Sequence, residues 1–190
     1  MISTSDPHRG GLPGGSGLPG GSGRLDVRGV VVLALLGAVL FVAKMAMAWL
    51  PNIEPVSLLV MVYTVVFGRR ALYPIYIYVA LECMVWGFNY WTVSYLYVWA
   101  VLALLAWLLR GMESGVGWAV LSGAFGLCFG ALNALVYWAA GGWAFAVSWW
   151  VMGIPYDALH CAGNFVMALV LFAPCRKVLT GLSRQVGLIT

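Results

Sequence analysis

The sequence predicts an all-α integral membrane protein with six transmembrane helices, both termini cytoplasmic, and a short interfacial segment before the last helix. Three observations carry this. Hydrophobic residues make up 63% of the 190-residue chain and charged residues only 8%, against about 25% charged in soluble domains. The apolar residues form runs near bilayer length, broken by Gly, Pro and Arg. The basic residues collect at alternate breaks, as they do when one set of loops faces the cytoplasm.

Met1 to Gly23 differs in kind from the rest. It repeats Gly-Leu-Pro-Gly-Gly-Ser at 11–16 and 17–22 and has no apolar core of the signal-peptide type. A disordered tail is expected there, then a membrane domain over 24–180 and a cytoplasmic tail over 181–190. The first span is Leu25 to Leu50, closed by Pro51. The second, Ile53 to Phe67, is short and ends at Gly68-Arg69-Arg70. Ala71 to Asn89 is the third, Val93 to Leu109 the fourth, and Val116 to Ala140 the fifth, ended by Gly141-Gly142. Trp143 to Gly153 is too short to cross and is rich in Trp, which reads as an interfacial segment or lid. The sixth helix then starts at Ile154, with Pro155 in its first turn, where a missing N–H costs nothing.

With six spans and both ends on one side, Arg24, Arg28, Arg69, Arg70, Arg110, Arg176, Lys177 and Arg184 all fall on one face. That face is expected to be cytoplasmic. The net charge of +4 is thereby explained by helix ends, and no basic cluster invites nucleic acid.

The chemistry-bearing residues lie at the other face. Asp157, His160 and Asn164 are three and four residues apart at the start of the sixth helix, hence on one helical face. An acid there would also meet the favourable end of the helix dipole. Lys44 lies about 9 Å inside the outer end of the first span. Glu82, Trp86 and Asn89 share a face of the third, and Asn133 and Tyr137, four apart, occupy the outer part of the fifth. Asn52 and Glu54 belong to the outer turn 51–55. These eleven residues are the expected ligand-binding set. A charge at membrane depth costs about 2.5 to 3.5 kcal/mol, so Lys44 and Glu82 need partners or water. Either they pair and tie two helices together, or at least one faces a ligand.

Seven tryptophans (Trp49, Trp86, Trp91, Trp138, Trp143, Trp149, Trp150) fall near outer ends, whereas a belt would populate both surfaces. The excess fits a flat ring stacked between indoles, and three acids against one lysine fit a cationic or N–H-rich ligand. No metal or cofactor is expected: Cys83, Cys128, Cys161 and Cys175 lack metal spacing and read as small buried hydrophobes. Small residues recur every fourth position at Ala34 and Ala38, at Gly115, Ala119 and Gly123, and at Gly126, Gly130 and Ala134, which lets helices approach closely in lipid.

Three stretches together resemble an S component of an energy-coupling factor (ECF) transporter. They are Lys44 with Pro-Asn-Ile-Glu-Pro-Val-Ser (51–57) leading to Tyr-Thr-Val-Val-Phe-Gly-Arg-Arg (63–70), then Tyr-Leu-Tyr-Val-Trp-Ala (95–100), then Ile-Pro-Tyr-Asp-Ala-Leu-His-Cys-Ala-Gly-Asn-Phe (154–165). The resemblance covers about residues 25–175. It implies a multi-pass protein of a prokaryotic-type plasma membrane that captures a vitamin or related micronutrient. The site would lie near the outer surface under a lid formed by the loop between spans one and two. It further implies docking through an Ala-x-x-x-Ala motif, here Ala34 and Ala38, onto an ECF transmembrane coupling subunit and, through it, ATPase subunits. The substrate is not implied, because S components share a fold and differ in ligand.

The chain is expected to catalyse nothing. It has no phosphate-binding Gly-x-x-x-x-Gly-Lys-Ser/Thr loop and no Gly-x-Ser-x-Gly elbow. Two rivals remain open at this stage: an intramembrane enzyme using Asp157 and His160 as acid and base, and a ligand-free sensor or assembly subunit in which His160 and Asn164 only link helices.

Overall fold

A computed structural model describes residues 26–50 and 52–188. The glycine-rich tail, Arg24, the Leu25 boundary and Pro51 lie outside the described residues. All regular structure among the described residues is helical: α1 (Val27–Ala46), α2 (Val56–Phe67), a 3-10 turn (Gly68–Ala71), α3 (Leu72–Trp86), α4 (Tyr90–Leu108) and α5 (Gly115–Gln185). Among the described residues four stretches are long and apolar enough to cross a membrane: Val27–Ala46, Val56–Trp86, Tyr90–Leu108 and Gly115–Gln185. This is the composition of a helical membrane protein.

Local chemistry sets the ends. Asp26 accepts the Gly29 N–H at 2.8 Å and caps α1. Asn89 and Thr92 form a reciprocal capping box that starts α4, and Ser114 accepts the Gly117 N–H at 3.1 Å to start α5. Pro74 sits in the first turn of α3, where its absent N–H is harmless.

Two of the four long stretches fold back on themselves. Glu54, just before α2, and Glu82, near the end of α3, both lie beside Lys44, so the chain reverses between them. The reversal falls at Gly68, whose φ of 57° is left-handed and cheap only for glycine. In α5 the break is Gly142, with φ 81° and ψ −178°. From there a returning arm packs back along the outgoing one: Trp149 stacks on Tyr137 with centroids 4.1 Å apart, and Phe172 stacks on Trp118 at 4.4 Å. The described residues therefore form six helical legs.

Trp143 to Gly153, expected as a separate interfacial segment, forms instead the first turns of that returning arm. Nothing in its run of apolar residues breaks a helix, and Pro155 removes one backbone donor without ending it. The stretch is also held laterally, because Phe145 and Trp149 pack on Tyr137 of the outgoing arm, with ring centroids 5.4 and 4.1 Å apart. Asp157 consequently stands inside a helix and not at its N-terminus. At the far end the helix runs past 180 to Gln185, and Leu188 is buried, its carbonyl 3.4 Å from Arg70 Nη1. The expected boundary at 180 falls within α5.

Nine of the twelve residues of α2 are buried, which makes it the central leg, wrapped by α4 and α5. α1 is peripheral and packs on α3 through Gly37, where an added Cβ would come within 2.6 Å of Ile77 Cγ2. Its other faces stay open: Val31, Leu35 and Val42 are exposed, and Ala34 and Ala38 are half-buried. Basic residues gather at one end of the bundle. Arg69 and Arg110 flank Trp107 at 5.8 and 4.9 Å, while Arg176, Lys177 and Arg184 share a groove with Glu113.

Candidate functional site

At the opposite end Lys44 enters from α1 and meets Glu82 of α3, with Nζ donating to Oε2 at 2.7 Å. Glu82 is fully buried, and Lys44 keeps 16% of its side chain exposed. The ammonium also lies 5.0 Å from the ring centroids of both Trp91 and Tyr95, a cation–π arrangement that eases its desolvation. Of the two roles left open by the sequence, the pairing is formed.

Lys44 still borders a cavity of about 530 Å³, within the range typical of small-ligand pockets. Each leg but the central one contributes to its wall. Asn52 and Glu54 come from the connection between α1 and α2, Trp86 from α3, and Trp91 and Tyr95 from α4. Phe129, Asn133 and Tyr137 come from the outgoing arm of α5, and Trp149, Tyr156, Asp157 and His160 from the returning arm. Asn52 takes a left-handed φ of 54°, a conformation that asparagine tolerates better than most residues. Asn52 and Glu54 thus carry this connection onto the cavity wall.

Two groups on the wall are buried and unpaired. Asp157 Oδ1 accepts the Gly130 N–H at 3.0 Å, but Oδ2 has no hydrogen-bond partner although the residue is only 4% exposed. His160, 1% exposed, presents its ring to Phe129 with centroids 4.7 Å apart, and neither of its nitrogens is bonded. Buried polar groups are nearly always paired, and an orphan costs roughly 1–3 kcal/mol. Two orphans side by side on a cavity wall are what a polar ligand would satisfy.

The neighbouring amide of Asn133 is already occupied. Asn133 lines the cavity, yet its Oδ1 bonds the Ser94 hydroxyl and its Nδ2 donates to the Phe129 carbonyl at 2.8 Å. Tyr137 is held between Tyr90, Phe145 and Trp149. The connection carries the half-buried Glu54, whose carboxyl is pushed up by burial, partly opposed by the Lys44 ammonium and raised further by Glu82.

Eight of the eleven expected ligand-binding residues border this one cavity: Lys44, Asn52, Glu54, Trp86, Asn133, Tyr137, Asp157 and His160. Three do not. Glu82 lies behind Lys44, Asn89 is spent capping α4, and Asn164 donates to Ser57 Oγ at 3.0 Å and to the Ser122 carbonyl at 3.3 Å, tying three legs together. Tyr95, Phe129 and Tyr156 also line the cavity, though they are not in the expected ligand-binding set. Phe129 sits one turn before Asn133 and Tyr156 adjoins Asp157, so helical spacing from the polar residues held the signal for both. Among the described residues no group of three or more His, Cys, Asp or Glu is placed to hold a metal ion.

Compared with family models, with known proteins and with solved structures, the chain matches none.

Proposed function

We propose that the protein is the substrate-binding (S) subunit of an ECF-type, ATP-driven uptake transporter, capturing a vitamin or similar small ring-containing micronutrient at an outward-facing site. In this reading all six legs cross the plasma membrane of a prokaryotic-type cell, and both termini are cytoplasmic. The observation that carries the proposal is the pair of buried, unpartnered groups of Asp157 and His160 facing an otherwise largely aromatic cavity of about 530 Å³. Its position supports the orientation. The cavity lies at the end of the bundle away from Arg69, Arg110, Arg176 and Lys177, and the positive-inside rule assigns those to the cytoplasm.

Ligand enters beneath the connection carrying Asn52 and Glu54, which serves as the lid. Release inward follows docking of α1, through Ala34 and Ala38, onto the transmembrane coupling subunit, with ATP hydrolysed by further subunits. Such a cycle requires a state of lower affinity, because a ligand shifts an equilibrium only by its differential binding.

Thermal unfolding of the purified protein in lipid nanodiscs against a panel of vitamins and related ring compounds tests the proposal. Marked stabilisation by one compound, without its chemical conversion, is the expected outcome. Conversion of that compound in the absence of any partner chain would overturn the proposal in favour of an enzyme.

A further inference from the structure

Resting on the capture reading above, we infer that the ligand is a small aromatic ring bearing a positive charge, seated with that charge against the free oxygen of Asp157. The first support is charge balance. Lys44, Glu54 and Asp157 border the cavity and Glu82 lies just behind it. Lys44 is engaged by Glu82, and no other ion pair forms among the described residues. Two carboxyl groups, Glu54 and Asp157, are left facing the cavity without an ion-pair partner of their own. A buried carboxylate is costly unless paired, and a cationic ligand supplies the missing partner. An anionic ligand would meet both carboxyl groups and find the one ammonium already neutralised.

A second support comes from the walls. Trp86, Trp91, Tyr95, Tyr137, Trp149 and Tyr156 surround the same space, and indole and phenol faces attract cations as well as stack on rings. The protein already uses that attraction beside this space, holding Lys44 over Trp91 and Tyr95. His160 adds orientation. A neutral imidazole offers one donor and one acceptor, and both of its nitrogens are unclaimed, so it reads the ring's polar substituents beside the charge.

The test uses the full chain in nanodiscs and a charge ladder of matched pyridines: 1-methylnicotinamide (cation), nicotinamide (neutral) and nicotinate (anion), with thiamine and biotin as a larger cation and anion. The expected result is tightest binding by a cationic member, by about tenfold or more over its neutral and anionic counterparts. Asp157→Asn should remove that preference while leaving the unliganded melting temperature nearly unchanged, because the amide oxygen still accepts the Gly130 N–H. If this variant fails to fold, Glu54→Gln provides a second variant, for which the cation preference should shrink. Tightest binding by a neutral or anionic member, or an undiminished preference in both variants, would overturn the charge assignment and leave capture standing. Binding by no member of the ladder would count against both.

Discussion

Asp157 Oδ1 accepts the Gly130 backbone N–H at 3.0 Å across the two arms of α5, a contact that exists only because residue 130 has no side chain. A Cβ built there would fall within the carboxylate, and one at Gly126 would lie 2.8 Å from the His160 carbonyl carbon and oxygen. The glycines of the outgoing arm are therefore the counterpart of the polar residues on the returning arm. They let two helices close until a carboxylate reaches the neighbouring backbone.

Gly130→Ala and Gly126→Ala should each separate the arms and destabilise the fold by about 1–3 kcal/mol, the usual cost of overpacking. The loss of ligand affinity should be greater for Gly130→Ala, which displaces Asp157 itself. Thermal unfolding with and without ligand measures both effects, and an unchanged affinity in Gly130→Ala would remove Asp157 from the site.

The Lys44–Glu82 pair makes a different prediction. Removing one partner leaves a charge stranded in a low-dielectric bundle, so Lys44→Met or Glu82→Leu alone should cost on the order of 3 kcal/mol. Glu82→Leu combined with Lys44→Met should recover much of that loss, since apolar replacement of both partners of a buried pair is often neutral. A double-mutant cycle in chemical denaturation reads the coupling directly. Strict additivity would mean that the 2.7 Å contact contributes nothing.

Asn164 offers the control. It is 2% exposed, and its amide holds Ser57 Oγ and the Ser122 carbonyl. Asn164→Leu should cost roughly 1–3 kcal/mol through the unpaired partners it leaves, while changing ligand affinity by less than about threefold, because the side chain does not border the cavity. A large loss of affinity at unchanged stability would place Asn164 in contact with ligand after all.

These residues show what the sequence could convey. The apolar runs, the Gly68 and Gly142 breaks and the basic ends are local signals, so the helical membrane class and the turns were legible from them. Spacing of three and four residues correctly put Asp157 and His160 on one face. It could not say that Asn164, one turn further, is consumed by Ser57, since that partner is 107 positions away in the chain. The returning arm was misread at Trp143 to Gly153 for a related reason. Length and Trp content describe a segment alone, whereas the packing of Phe145 and Trp149 on Tyr137 of the outgoing arm holds it in the returning helix. Tyr95 had no residue of the expected set at helical spacing on α4 to point to the wall, and tertiary packing beside Lys44 brings it there.

Glu54 gives the pH dependence. Its carboxyl is raised from the ordinary 4.5 chiefly by burial, so the folded protein binds this proton more tightly than the unfolded chain does. The contribution to stability is complete at pH values below 4.5 and is lost as pH rises from there through the higher folded value. Melting temperature should decline over that interval, and Glu54→Gln, which cannot ionise, should flatten the decline. A variant whose pH profile overlays that of the parent would show that Glu54 is fully hydrated.

The remaining prediction concerns α1. Gly37 seals one face of this helix against Ile77 and Pro74, while Ala34 and Ala38 stay half-buried beside exposed Val31, Leu35 and Val42. A bulky residue at position 34 should therefore be tolerated by the bundle itself but would block close approach of another helix. Ala34→Trp should abolish uptake in cells that express the coupling and ATPase subunits, with ligand affinity of the isolated protein kept within about threefold. Measuring both in parallel separates docking from folding: loss of binding together with uptake would make the stripe internal packing, and retained uptake would put the coupling surface on another leg.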